Sequence, residues 1–368
     1  MTDELKGDRL VALRHLLGIT QSEMADDLDV SGGFLSHVAQ GRRNFPESLA
    51  HAASEQYRVP YSFFSVSTEP EDIGPVTFRK TSAARARDEN RVVQLYTEAA
   101  RLFRDASHSS GYHIADLPEA ADFHRDPELL AAAVRQRVGL GPSDPVRNVT
   151  RLCERLGVGV VHVLDPKAQG ESQHAGASRP RSSARPLIAL ASELPPAVKR
   201  LTLAHELFHI IDDRDLDRAL TSVRDPREKR AFRFAGALLL PADAARERIS
   251  ETLTLHGYLR VKADYGMSVS ALIHRAEDLG VITGQRARSL YIQWSSQGWR
   301  TNEPVPVADE RPLLLGQALK RSRGNSYAAK ASYELGVPAE LITGWVGAPD
   351  RSDDDVASVL PLDLARRR

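Results

Sequence analysis

The stretch Arg200-Leu-Thr-Leu-Ala-His-Glu-Leu-Phe-His-Ile-Ile211 decides how this chain is read. His205 and His209 stand four residues apart, so a helix puts both imidazoles on one face, within reach of a single cation. Leu201, Leu203, Ala204, Leu207, Phe208, Ile210 and Ile211 cover most of the remaining surface, leaving His205, Glu206 and His209 as the polar stripe. A carboxylate buried between two imidazoles is costly without a compensating partner, so a polar stripe on a buried helix implies a cavity. The bland alternative is a pair of satisfied core histidines. Zn2+ suits the stripe because it takes nitrogen and oxygen ligands in a tetrahedron, and three protein ligands leave one place for water. Glu206 stands where it can take that water's proton, so the expected chemistry is metal-assisted hydrolysis.

A third ligand is expected from an acid downstream. Asp225-Pro226-Arg227-Glu228 opens a second helix, with Asp225 as N-cap and Pro226 in the first turn. Ala231, Phe234, Ala235, Leu238 and Leu239 then recur at helical spacing up to Pro241. Glu228 is read as the ligand, although Asp-x-x-Glu is also a capping box in which the Glu turns back to the cap. The rival is Asp213, one turn beyond His209, with Asp212 beside it. The other reading of Asp212-Asp213-Arg214-Asp215 is a solvated acidic turn, which is preferred.

The segments His205 to His209, Glu228-Lys-Arg-Ala231 and Phe234-Ala-Gly-Ala-Leu-Leu-Leu-Pro241 together resemble the zinc metallopeptidases of the ImmA/IrrE family. The likeness continues through Gly266 to Gly280 and Gly298 to Pro304, covering roughly residues 75 to 320. It implies that His205, His209 and Glu228 are the Zn2+ ligands, that Glu206 is the catalytic base, and that the substrate is a transcriptional repressor. Two positions depart from the pattern. Phe208 replaces a common small residue, and Phe232 replaces the Asn or Asp that often orients a ligand histidine. Both departures imply weaker metal affinity or slower turnover.

With 368 residues and 42% hydrophobic content the chain can form two or more cores. The single cysteine, Cys153, excludes an internal disulfide framework, and neither an apolar leader nor a bilayer-spanning run is seen. A cytoplasmic protein with no membrane partner is expected. Lys and Arg balance Asp and Glu at 49 each, so net charge says nothing about nucleic acid and local distribution must decide.

Residues 1–67 read as an all-α unit. An amphipathic helix ends at Gly18, Thr20 caps a short second helix, and a tight turn at Asp29-Val30-Ser31 leads to a third that stops at Gly41. Two short helices joined this way make a helix-turn-helix. Ile19-Thr-Gln-Ser-Glu-Met-Ala-Asp-Asp-Leu-Asp-Val-Ser31 resembles the lambda-repressor-like class, with Val59 to Phe64 as the closing turn. The resemblance implies that Gln21 holds a phosphate and that Ser31, Gly33, Ser36, His37, Arg42 and Arg43 face DNA. Against this stand six Lys/Arg and nine Asp/Glu in residues 1–67, a net charge of −3 that repels the phosphate backbone. Gly32 and Gly33 also offer no side chain for base readout. Protein docking or dimerisation is the competing role; a homodimer binding through His37, Arg42 and Arg43 is the DNA reading.

The expected fold is α+β: the helix-turn-helix bundle (1–67), a basic linker (68–90), a zincin-like metallopeptidase domain with a small sheet (91–305), and a helical C-terminal region with a tail (306–368). Helices are predicted near 88–106, 127–138, 146–156, 311–321, 327–335 and 338–346, and strands at 158–164 and 186–191. Residues 169–185, rich in Ser, Gly, Arg and Pro, are expected to form a loop. The strand at 186–191 is the candidate edge for pairing with a substrate backbone. His162 and His174 are expected to be core or solvated residues, and Leu341 and Trp345 packing anchors. Two functions are carried forward: a zinc endopeptidase acting on a repressor, and a DNA-binding regulator whose zinc domain senses or docks without cutting.

Overall fold

Capping chemistry sets the helix ends at the N-terminus. α1 (Asp8–Leu17) stops at Gly18, whose φ of 69° is left-handed and costs glycine nothing. α2 (Gln21–Asp27) begins with a reciprocal capping box between Thr20 and Glu23, and α3 (Gly32–Ala39) begins with the Ser31 side chain accepting from Phe34 N. α4 (Glu47–Tyr57) and a 3-10 turn at Tyr61–Ser65 complete this segment. A computed structural model describes residues 4–67, 69, 74–80, 86–166, 174–181, 184–220, 222 and 224–347. The tail acids at 350–355 and the basic cluster at 366–368 lie outside these residues, as does part of the expected loop and of the basic stretch.

Next come β1 (Thr77–Lys80), α5 (Ala86–Ser109), α6 (Pro127–Arg137), α7 (Val149–Arg155), β2 (Gly159–Val161), β3 (His174–Ser178) and β4 (Leu187–Leu190). They are followed by α8 (Pro196–Asp212), α9 (Pro226–Leu239), α10 (Ala242–Arg248), α11 (Tyr258–Tyr265), α12 (Val269–Asp278) and α13 (Gly284–Ser296). α14 (Leu314–Arg323), α15 (Tyr327–Leu335) and α16 (Ala339–Val346) close the described chain. The described fold is mostly helical with one small sheet, consistent with α+β. No helix among these residues is long and apolar enough to cross a membrane.

The sheet runs in the order β1-β3-β4-β2, with β1 and β4 antiparallel to β3 and β2 parallel to β4. Two expectations are corrected here. The strand at 186–191 is not an edge but is flanked on both sides. Residues 77–80, expected as linker, form an edge strand on β3, itself formed by residues expected in a loop.

Alternation divides the strands between two cores. Val160, Ile188 and Leu190 face the core that α6 to α13 share. Val161, Ala177, Leu187 and Ala189 face the other, which joins α1 to α5 with α14 to α16. Tyr96 of α5 anchors that second face by donating to Leu187 O at 2.8 Å. Buried Arg9 of α1 pairs with buried Glu98 of α5 at 2.8 Å, and Glu98 also pairs with Arg101 at 2.5 Å. Trp345 is buried and donates Nε1 to Leu164 O at 2.8 Å, as a packing anchor does; Leu341 is half-buried against the same core.

Candidate metal centre

α8 lies beneath β3 and β4 and is buried along most of its length from Lys199 to Asp212. Its buried cations are satisfied by acids elsewhere: Lys199 pairs with Glu193 and Asp309 at 2.8 and 2.7 Å, and Arg200 pairs with Glu310. The central turns carry His205 and His209 on one side, as the four-residue spacing requires. α9 crosses α8 and brings Glu228 to them from its first turn. Asp225 caps α9 by accepting from Arg227 N, which leaves the Glu228 carboxylate directed at the histidines.

The three side chains converge closely. His205 Nε2 lies 3.1 Å from His209 Nε2 and 3.2 Å from Glu228 Oε2, and His209 Nε2 lies 3.5 Å from Glu228 Oε1. A tetrahedral zinc with ligand bonds of about 2.0–2.1 Å has ligand atoms about 3.3 Å apart, so the observed spacings fit such an ion. All three residues are buried, and among the described residues they form the one group of this kind. The same atoms also polarise one another. Burial opposes the charge on His209, yet its bonds to Asp213 and Glu228 lift it to about 10; burial likewise opposes Glu228, yet the two imidazoles lower it to about 2.

Asp213 is not among the converging atoms, and it is not solvated. It is fully buried and its Oδ2 lies 2.6 Å from His209 Nδ1, which directs His209 Nε2 toward Glu228. Asp212 is buried as well and pairs with Arg230 at 2.9 Å. The acidic turn is therefore a structural support, with Arg214 and Asp215 exposed at its outer end. His205 lacks an equivalent support. Its Nδ1 is buried with no hydrogen-bond partner among the described residues, and the Phe232 ring packs against the imidazole at 4.4 Å. Phe208 points into the apolar core, 5.5 Å from Phe234.

Glu206 is buried one residue beyond His205 and its Oε2 accepts from Ser178 Oγ of β3 at 2.6 Å. Burial raises its pKa, and the two histidines and Ser178 oppose the rise. β3 can lie this close because Gly176 has no side chain: a Cβ there would be 2.7 Å from Thr202 Cγ2 and 2.8 Å from Glu206 Cγ. Neither Gly176 nor Ser178 is legible in the sequence. The only signal is the run of small residues in His174-Ala-Gly-Ala-Ser178, too weak to separate from a loop. His162 lies outside the site, buried with its Nε2 3.0 Å from Thr150 Oγ1; burial lowers its pKa to about 4. The His174 side chain lies outside what the structure describes.

The seven residues expected at a nucleic-acid face lie on or beside α2 and α3, away from the metal centre in sequence and in core. Gln21 donates to Gly32 O at 3.0 Å, Ser31 caps α3, and half-buried Ser36 accepts from Gln40 at 2.9 Å. Gly33, His37, Arg42 and Arg43 are exposed, and the Arg43 guanidinium lies 5.3 Å from the Phe34 ring centre.

Neither the curated proteins nor the solved structures provide a match to this chain. Residues 153–277, which run from α7 to α12 and hold all four residues of the centre, match the family model described as Peptidase_M78, IrrE N-terminal-like domain; over that segment the chain is similar to metallopeptidases of the ImmA/IrrE type.

Proposed function

We propose that the chain is a zinc-dependent endopeptidase that hydrolyses a peptide bond in a transcriptional repressor or regulator, coupled to an N-terminal helix-turn-helix module. The convergence of His205, His209 and Glu228 at tetrahedral spacing beside a buried carboxylate supports this reading. Those three side chains would hold Zn2+, which when bound activates water and polarises a carbonyl. Asp213 keeps the His209 Nδ1 proton and so leaves Nε2 as the donor atom. Glu206 takes the proton from water and returns it to the leaving amine; its raised pKa suits a base that must also act as an acid. Ser178 holds that carboxylate in place. The work is placed in the cytoplasm, where a repressor substrate would be met.

A second reading, a DNA-binding regulator whose zinc domain senses or docks without cutting, draws on the unpartnered Nδ1 of His205 and on the exposed His37, Arg42 and Arg43. DNA binding would then use a homodimer, since one acidic module offers few phosphate contacts. One experiment separates the two. Metal content is measured for the parent, Glu206→Gln and His205→Ala proteins, and each is incubated with helix-turn-helix repressors followed by mass spectrometry. The peptidase reading expects Glu206→Gln to keep metal and lose cleavage, and His205→Ala to lose both. A cellular response left unchanged by Glu206→Gln but abolished by Arg42→Ala or Arg43→Ala would establish the second reading.

A further inference from the structure

The strand next to Glu206 has its outer edge filled by this chain's own β1. β3 is bonded to β4 on one side and lies over α8, with Ser178 Oγ 2.6 Å from the Glu206 carboxylate. A strand added to the other side of β3 therefore runs beside the catalytic centre. Sheet edges of this kind are templates for extended peptide backbone, which pairs through main-chain hydrogen bonds without demanding a particular side chain. β1 occupies that position, antiparallel, with Thr77 opposite Ser178 and Phe78 opposite Ala177. Buried Thr77 places Oγ1 3.0 Å from Ser178 Oγ and 3.1 Å from Ser178 O, so β1 contacts the residue that holds Glu206.

We infer that β1 is an intrachain occupant of the outer edge of β3, the edge along which an extended substrate would pair, and that a substrate must displace it. This rests on the metallopeptidase reading above. β1 suits an exchangeable role because it is four residues long, has β3 as its one sheet neighbour among the described residues, and shifts register between Phe78 and Lys80. A short, irregular pairing is weaker than a regular ladder.

The test uses the zinc-loaded full chain and two probes: acetohydroxamate, which reaches only the metal, and an apolar tripeptide hydroxamate, which also needs the outer edge of β3. Replacing residues 77–80 by Gly-Ser-Gly-Ser opens that edge, and Phe78→Cys with Ala177→Cys allows it to be locked. Opposed antiparallel residues have Cα atoms about 4.5–5.5 Å apart, within disulfide range, and the native Cys153 is buried. The Gly-Ser protein is expected to bind the tripeptide hydroxamate about tenfold more tightly than the parent, as for an edge open about a tenth of the time. Oxidising the cysteine pair is expected to weaken that binding at least about tenfold, with recovery on reduction. Acetohydroxamate should bind all forms alike. Tripeptide affinity that ignores the state of β1 overturns the inference while leaving the metallopeptidase reading intact. Failure of acetohydroxamate to bind the zinc-loaded parent overturns that reading, and the inference with it.

Discussion

A single methyl group at residue 176 tests the packing on which the candidate metal centre depends. In Gly176→Ala the new Cβ meets Thr202 Cγ2 at 2.7 Å, Glu206 Cγ at 2.8 Å and Glu206 Oε1 at 2.9 Å. Carbon atoms pack best at about 3.5–4.0 Å, so something must move by several tenths of an ångström. Thr202 is β-branched on a helix and has little rotamer freedom. Glu206 is buried and held by Ser178. Either α8 backs away from β3 or the Glu206 carboxylate swings aside. Overpacking of this sort costs about 1–3 kcal/mol, and the loss of unfolded-chain freedom on replacing glycine returns about 0.4–1 kcal/mol. The overpacking wins, leaving a net loss of about 1–2 kcal/mol. Misplacing a general base costs about 100-fold or more in rate. Urea unfolding, metal analysis and a cleavage assay on one preparation should show a modest stability loss, retained metal and cleavage reduced at least about 100-fold. A Gly176→Ala protein as stable and as active as the parent would refute the close approach of β3 to α8.

Further outcomes follow from the groups around the centre. Asp213→Asn keeps the shape but removes the charge facing His209 Nδ1, and zinc affinity by chelator competition should fall about 10–100-fold; unchanged affinity would remove Asp213 from the site. Phe232→Asn replaces the ring against His205 with an amide able to reach the bare Nδ1, so affinity in the same titration should rise, and a fall would show that ring packing is what holds His205. Glu98 is held near pKa 2: burial opposes its charge, but Arg101 and Arg9 lower it from 4.5. Because the folded value is the lower one, the stabilisation is present above pH 4.5 and lost as pH falls toward 2. Urea midpoints measured across that range should decline in the parent and decline less in Glu98→Gln; equal slopes would show that this carboxylate is not ionised in the fold.

The sequence by itself determined α1 to α3, α5 to α9, α14 to α16 and the face on which the histidines stand, while α4 and α10 to α13 went unpredicted. The spacing of His205 and His209, the caps at Thr20 and Asp225, and the glycine stop at Gly18 are local, and each is satisfied within one or two turns of the same helix. Tertiary structure decided what those local rules leave open. Glu228 had two readings until α9 crossed α8. Asp213 looked solvated because its neighbours are charged, yet the fold buries it against His209. The strands were least legible: 186–191 was expected at an edge and lies inside the sheet, while 77–80 was expected as linker and forms its edge. Helical order depends on residues three and four apart, whereas Thr77 meets Ser178 across 101 positions. A four-residue strand of mixed polarity carries no pattern that names a partner so far away, so only the folded chain, once it has closed those long loops, reveals which backbone lies beside Glu206.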